Sequence, residues 1–343
     1  MRLVIVSAIL FLPAPATSDY LKDVPAEMAI IAPGDPDVVK PATGFTFTEG
    51  PVWDPANGYV IFSDIDGDQM WRHTPPGSTV SFRNPSYRAN GNTLDLQGSV
   101  ITCEQTRHCV SRNGIPLVSQ YAGKDLNAPN DVVVKSDGTI WFTDPDYSAP
   151  VPKPQPGNYV YRCDSDGGNL TAVVTTFTEP NGLCFSPDES KLYIADSGAP
   201  HWIRVFTVNG DNSLTEIGTS FVTISNGAPD GIRCDVDGRI FSSCGNGVQV
   251  FLPNGTKIGT ILVPEGAATT NLCFGGADGK TLFMTAKTSL YSVHLNVLGA
   301  GVAGGNPLPP GGGGGCGLLG LEALLALLIV RHRAHGASRP ASR

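Results

Sequence analysis

Short apolar runs rich in Val, Ile, Phe, Tyr and Trp alternate along most of the chain with tight polar turns built on Gly, Pro, Asn and Asp. One stretch shows the unit. "NDVVVKSDGTIWFTD", from Asn130, is an apolar run, a Ser-Asp-Gly turn and a second β-rich run that ends on Asp144. That pattern predicts strand, turn, strand. It recurs as "EGPVWDPANGYVIFSD" from Glu49, "NGNTLDLQGSVITCE" from Asn90, "NGLCFSPDESKLYIAD" from Asn181, "DGIRCDVDGRIFSSC" from Asp230 and "NLCFGGADGKTLFMTA" from Asn271. The six copies start 40 to 51 residues apart, and further β-like runs such as "GNYVYRCD" and "HWIRVFTV" fill the intervals. Roughly four strands per 40 to 50 residues is the period of a β-propeller blade. The expected fold is therefore all-β, one six-bladed propeller over residues 19–298, with no helix of any length. "AEMAIIAP" or "PDVVKP" near the start would supply the outer strand that the last copy lacks.

Composition agrees with this outline and narrows the partners. Of 343 residues 41% are hydrophobic, enough for a substantial core, while Gly 41 and Pro 28 suit turns better than helices. A net charge of -8 without a basic stripe excludes nucleic acid and anionic membrane as partners. The ends stand apart. Residues 1–18 carry an early Arg, an apolar run and a small-residue "APA", the layout of a secretory signal peptide. Residues 299–315 form a Gly/Pro-rich linker, and 316–343 hold Cys316, a short apolar run and a basic stop. That run is under the roughly 20 residues of a spanning helix. The arrangement resembles the tripartite C-terminal sorting signals of exported bacterial proteins. It implies residence in the periplasm, outer envelope or cell surface and processing by envelope sorting machinery. The propeller itself is expected to be a monomer. Export permits disulfides, and Cys103 and Cys109 flank a five-residue connection that could bridge. Cys184, Cys234 and Cys273 sit in apolar runs as small hydrophobes.

The first residues of the six copies carry the candidate chemistry. In a propeller the first strand of each blade lines the central channel, so Glu49, Asn90, Asn130, Asn181, Asp230 and Asn271 face the axis at one mouth. Turn preference explains Asn and Asp one at a time, but not Glu49, and not an oxygen-bearing side chain in all six copies. Converging acceptors would be left unpaired in the absence of a cation. Carboxylates and amide carbonyls without His or Cys specify a hard ion, Ca²⁺ ahead of Mg²⁺. No G-x-S-x-G, H-E-x-x-H, Walker or dinucleotide motif is present. Metal-assisted chemistry remains, with Glu49 and Asp230 equal candidates for the proton acceptor.

"EGPVWD", "LNAPNDVVVKSDGTIWFTDPDY", "EPNGLCFSPDESKLYIAD", "GAPDGIRCDVDGRIF" and "NLCFGGADGKTLFMTAKTSLY", in this order, resemble the gluconolactonase/regucalcin (senescence marker protein) family over about residues 40 to 295. The resemblance implies a six-bladed propeller with one divalent cation, Ca²⁺ or else Zn²⁺, Mg²⁺ or Mn²⁺, that hydrolyses a sugar-acid lactone. It implies Glu49, Asn181 and Asp230 as metal ligands, Asn130 as a ligand or substrate contact, and Asp230 as general acid/base. Asn90, Asn271 and Gln105 are then substrate contacts. Three positions depart from the family pattern: Gln105 stands where many bacterial members have His, Asp125 where many have Arg, and Ala128 where the regucalcin branch has Arg. With a cation and a proton donor missing from the rim, neutral lactones are expected to be better substrates than anionic ones. A promiscuous ester or phosphotriester hydrolase, and a non-catalytic binding propeller at the cell surface, are the competing readings.

Overall fold

The computed structural model describes residues 19–301 apart from residue 219. The expected signal peptide, the sorting segment and most of the linker lie outside the described residues.

Six antiparallel blades follow one another along the chain, four built from consecutive strands and the last two completed by a strand from near the N-terminus, with one small two-stranded hairpin besides. Their first strands are Thr48–Asp54, Ala89–Leu94, Val132–Val134, Pro180–Phe185, Ile232–Cys234 and Asn271–Gly275. Each packs against the first strands of both neighbouring blades, and that of blade 6 against that of blade 1, so the ring closes. A six-bladed propeller is the result. Closure comes from the second of the two expected segments: Val39–Thr43 pairs with Ser289–His294 as the outer strand of blade 6. The other segment is instead a seven-residue helix, Pro25–Ile31, where no helix was expected. Its sequence presents Met28 and Ile31 on one face, and these two bury into the core shared by blades 5 and 6. Ahead of it Tyr20–Lys22 adds a fifth strand to blade 5.

The apolar alternation is used between blades. Trp141 and Val160 of blade 3 pack with Leu183, Ile194 and Phe206 of blade 4, and Trp53 of blade 1 stacks on Phe283 of blade 6 at 5.7 Å. Each fully buried side chain of this kind stabilises the fold by roughly 1.5–3 kcal/mol. The seven described cysteines are all buried free thiols, Cys103 and Cys109 included. Cys109 Sγ lies 3.6 Å from Glu104 Oε2 rather than in a bridge.

Glycines draw the first strands together at the mouth. In blades 1, 2, 4 and 5 a Gly follows the axial residue. A Cβ on Gly50 would lie 2.0 Å from the Asn90 carbonyl oxygen, and one on Gly182 would lie 2.2 Å from that of Asp230. No other residue permits that approach. The amides of Gly91 and Gly182 donate to the carbonyls of Asn130 and Asp230 at 2.8 and 3.1 Å, joining each axial residue to the next blade.

Candidate functional site

The loop leading to the axial residue is held by a carboxylate in three blades. Asp64, at the end of the second strand of blade 1, accepts the amides of Thr46 and Phe47. Asp144 accepts those of Asn127 and Ala128 at 2.9 and 2.8 Å. Asp196 accepts those of Thr178 and Glu179 at 3.2 and 2.8 Å. Each pair of amides lies three and two residues before Glu49, Asn130 or Asn181. The closing Asp of the repeat thus fixes where the axial residue points. Burial lifts the Asp144 carboxyl to about 7, against the two amides, which favour its charged form.

All six axial residues reach one mouth, five of them buried and Asp230 half-buried. Glu49 Oε2 accepts from the Gly50 amide at 2.8 Å and from Asn271 Nδ2 at 3.1 Å. Burial, then the Asp131 charge, raise its carboxyl to about 7. Asp230 is raised as well, by burial first and then by Glu49 and Asp131. Asn181 is turned by its neighbours. Ser197 Oγ donates to the Pro229 carbonyl at 2.6 Å, so it accepts from Asn181 Nδ2 at 3.0 Å. That orients the amide and leaves Asn181 Oδ1 buried with no hydrogen-bond partner. Two repelling carboxylates beside an orphaned amide oxygen fit a hard divalent cation. No group of three or more His, Cys, Asp or Glu side chains gathers among the described residues, so the donor set is mixed acid and amide.

The remaining predicted residues divide. The Asn90 and Asn130 side chains make no hydrogen bond within the described protein, and both stand at the mouth. Asn271 is already paired: its Nδ2 is on Glu49 and its Oδ1 accepts the Leu272 amide at 2.8 Å. It orients Glu49 rather than offering a free contact to substrate. Gln105 lies off the axis, between blades 2 and 3, where its Oε1 accepts from Ser148 Oγ at 3.0 Å. Asp125 is exposed in a small hairpin and accepts from Gln120.

Two channel residues went unmarked in the sequence. Asp131, next to Asn130, is fully buried, and its Oδ2 has no hydrogen-bond partner. Arg233 Nη1 stands 3.7 Å from that oxygen. Asp131 stands where the other copies have Gly or Leu, and Arg233 is a charge where the others have Val, Thr, Cys or Phe. That departure was the available signal. His73, His108, His201 and His294 bond to a threonine, two backbone carbonyls and Asp278, none of them to an axial side chain.

The fold and mouth together define a six-bladed propeller that gathers acids and amides around a channel. Residues 47–288 match the family described as the SMP-30/Gluconolactonase/LRE-like region. The chain belongs to that family, and so to the gluconolactonase-like lactone hydrolases. It is 29% identical over 296 residues to a gluconolactonase of Zymomonas mobilis, across 75% of this chain and 81% of that protein. It is also similar to the structure of XC5397 from Xanthomonas campestris, described as a gluconolactonase, with 32% identity and a TM-score of 0.76 over 83% of this chain and 97% of that one. A calcium-binding regucalcin from Agrobacterium tumefaciens shares the fold at 19% identity, with a TM-score of 0.62 over 77% of this chain and 95% of that one.

Proposed function

We propose that the protein opens the ring of a sugar-acid lactone at this mouth, with a divalent cation, Ca²⁺ first, held by Glu49, Asn181 and Asp230. The observation that carries the reading is the partnerless Asn181 Oδ1 beside the two carboxylates. Asn130 lies alongside as a further oxygen donor. When bound, the cation supplies Lewis-acid polarisation of the lactone carbonyl and acidifies a water.

The chain's own residues supply the rest. Glu49 is tied by the Gly50 amide and Asn271, which suits a fixed ligand. Asp230 is the more exposed of the two acids and takes the proton of the attacking water. As the acyl carbon–oxygen bond breaks, the same proton passes to the departing ring oxygen, and the product is the open hydroxy acid. Asn90 and Asn130 hold substrate oxygens with amides that no described residue occupies. Arg233 offsets the Glu49 and Asp131 carboxylates.

Chelation followed by titration of Ca²⁺, with hydrolysis of gluconolactone followed by pH-stat, tests the reading. Activity should vanish and return with metal. Asp230→Asn keeps an oxygen donor but removes the proton acceptor, so turnover should fall by roughly 10²- to 10⁴-fold with metal bound. Full activity in either the stripped protein or that variant overturns the proposal.

A further inference from the structure

Beside the ring, between blades 2 and 3, a cleft of about 270 Å³ is lined by Arg88, Gln105, Thr106, His108, Ser148 and Pro150. That is below the roughly 300 Å³ at which sites for a whole ligand begin, so it suits one substituent of a larger molecule. The cleft is joined to the ring through the backbone. Arg88 lies two residues before Asn90, and its carbonyl accepts the Gln105 amide at 3.3 Å. His108 Nδ1 bonds to the carbonyl of Asn127, three residues before Asn130, at 2.6 Å. The cleft wall is therefore tied to the two loops that deliver Asn90 and Asn130.

The lining is rich in donors and contains no acid. Gln105 is 4% exposed, and with its Oε1 taken by Ser148 its amide nitrogen donates to nothing in the described protein. Arg88 contributes a guanidinium, while His108 donates its Nδ1–H to the Asn127 carbonyl and serves to shape the wall. Arg88 Nη1 meets Asp66 at 2.8 Å, but both side chains are 40% exposed or more, and a pair so exposed constrains the guanidinium little. The backbone is also bent to present these side chains: Arg88 and His108 have φ of 52° and 49°, and Tyr87 before them 61°. Left-handed backbone at non-glycine residues gathers where a ligand site is being shaped. Sugar hydroxyls need acceptors as well as donors. Donors without a carboxylate suit a group that only accepts, such as a carboxylate or phosphate.

We propose that this cleft is a subsite for an anionic substituent, carboxylate or phosphate, on the lactone opened at the ring. The proposal rests on the lactonase reading for the reaction and adds the class of substrate. It reverses the expectation from Gln105 and Asp125 that anionic lactones would be disfavoured. Arg88 restores a cationic group to the rim from a position that the family motifs do not mark.

The test compares KM and kcat on gluconolactone, a phosphorylated gluconolactone and a dicarboxylic sugar lactone. Arg88→Gln should raise KM for a charged lactone relative to the neutral one by about 10- to 100-fold, the worth of a charge-assisted hydrogen bond, with kcat less affected. Arg88→Lys should recover part of the loss. Whichever charged lactone responds identifies the substituent. Calorimetry with the open phosphorylated sugar acid and the dicarboxylic sugar acid gives a second readout that needs no turnover. Binding lost in Arg88→Gln supports the cleft even if no lactone is hydrolysed, in which case only the lactonase reading falls. If lactones are hydrolysed but Arg88→Gln and His108→Gln alter neither the KM ratio nor acid binding, the subsite is overturned.

Discussion

Blades 1, 3 and 4 and blade 2 solve the same problem differently. In the first three, Asp64, Asp144 and Asp196 reach back to two amides of the loop that delivers the axial residue. Blade 2 has Glu104 at that strand end. One methylene longer, it turns to Arg83 at 2.9 Å and Arg107 at 3.2 Å and accepts from Ser111. The loop before Asn90 is instead held by Asp68, which accepts the Arg88 amide at 2.7 Å, and it follows a left-handed path through Tyr87 and Arg88. The difference teaches how one repeat yields both rigidity and specificity. A short acid clamps the loop and fixes an axial side chain. Where the acid is diverted to arginines, the loop is free to become the wall of a cleft.

Removing a clamp is the strongest way to break that comparison. Asp144→Ala leaves the amides of Asn127 and Ala128 without acceptors in a region where both residues are fully buried. It should cost about 2–6 kcal/mol, at about 1–3 kcal/mol for each orphaned donor, read as a lower midpoint in urea. Asp196→Ala frees the amides of the more exposed Thr178 and Glu179, so its stability cost should be nearer 1–2 kcal/mol. Its larger effect should be on the cation, because Asn181 is no longer aimed, with a loss of about 10- to 100-fold in affinity by calorimetry, the usual cost of disturbing what orients a ligand. Glu104→Gln supplies the contrast. It should destabilise the protein by about 1–3 kcal/mol through Arg83 and Arg107 and leave cation affinity close to that of the parent. If Glu104→Gln weakens the cation as much as Asp196→Ala does, the clamps are not what places the ring.

A last expected effect is one of pH. Glu49 and Asp144 are both raised to about 7 in the folded protein, from ordinary values of 4.5 and 3.8. A native state that keeps protons the unfolded chain releases loses stability as pH rises from about 4 to about 7, and the loss then levels off. Cation-free protein should therefore be more stable to urea at pH 5 than at pH 8. A cation binds the ionised form of Glu49, so its affinity should rise with pH through about 7 and oppose that loss. Cation-free protein equally stable at both pH values would mean that the mouth is more hydrated than its burial implies.

Much of the architecture was legible in the chain. The repeated strand-turn-strand units, their spacing and their axial oxygen-bearing residues are local patterns, and local chemistry is enough to set them. Turn residues and β-rich runs act over a few positions, and the closing "FSD", "FTD" and "IAD" even display the clamps. Which of two N-terminal runs closes the ring, and that the other becomes the Pro25–Ile31 helix, was decided by packing, because an apolar run of that length satisfies either period until a partner core is in place. The same holds at the mouth. Asn271 looks like its fellow asparagines in the sequence, yet ring closure sets it against Glu49, 222 residues away, and uses both ends of its amide. Asp131 and Arg233 meet across blades 3 and 5, and Arg88 and His108 meet Gln105 only where two loops converge. Residue types and periods are determined within each blade. The pairing of charges and the shape of the cleft follow from distances between blades, which exist only once all six have closed.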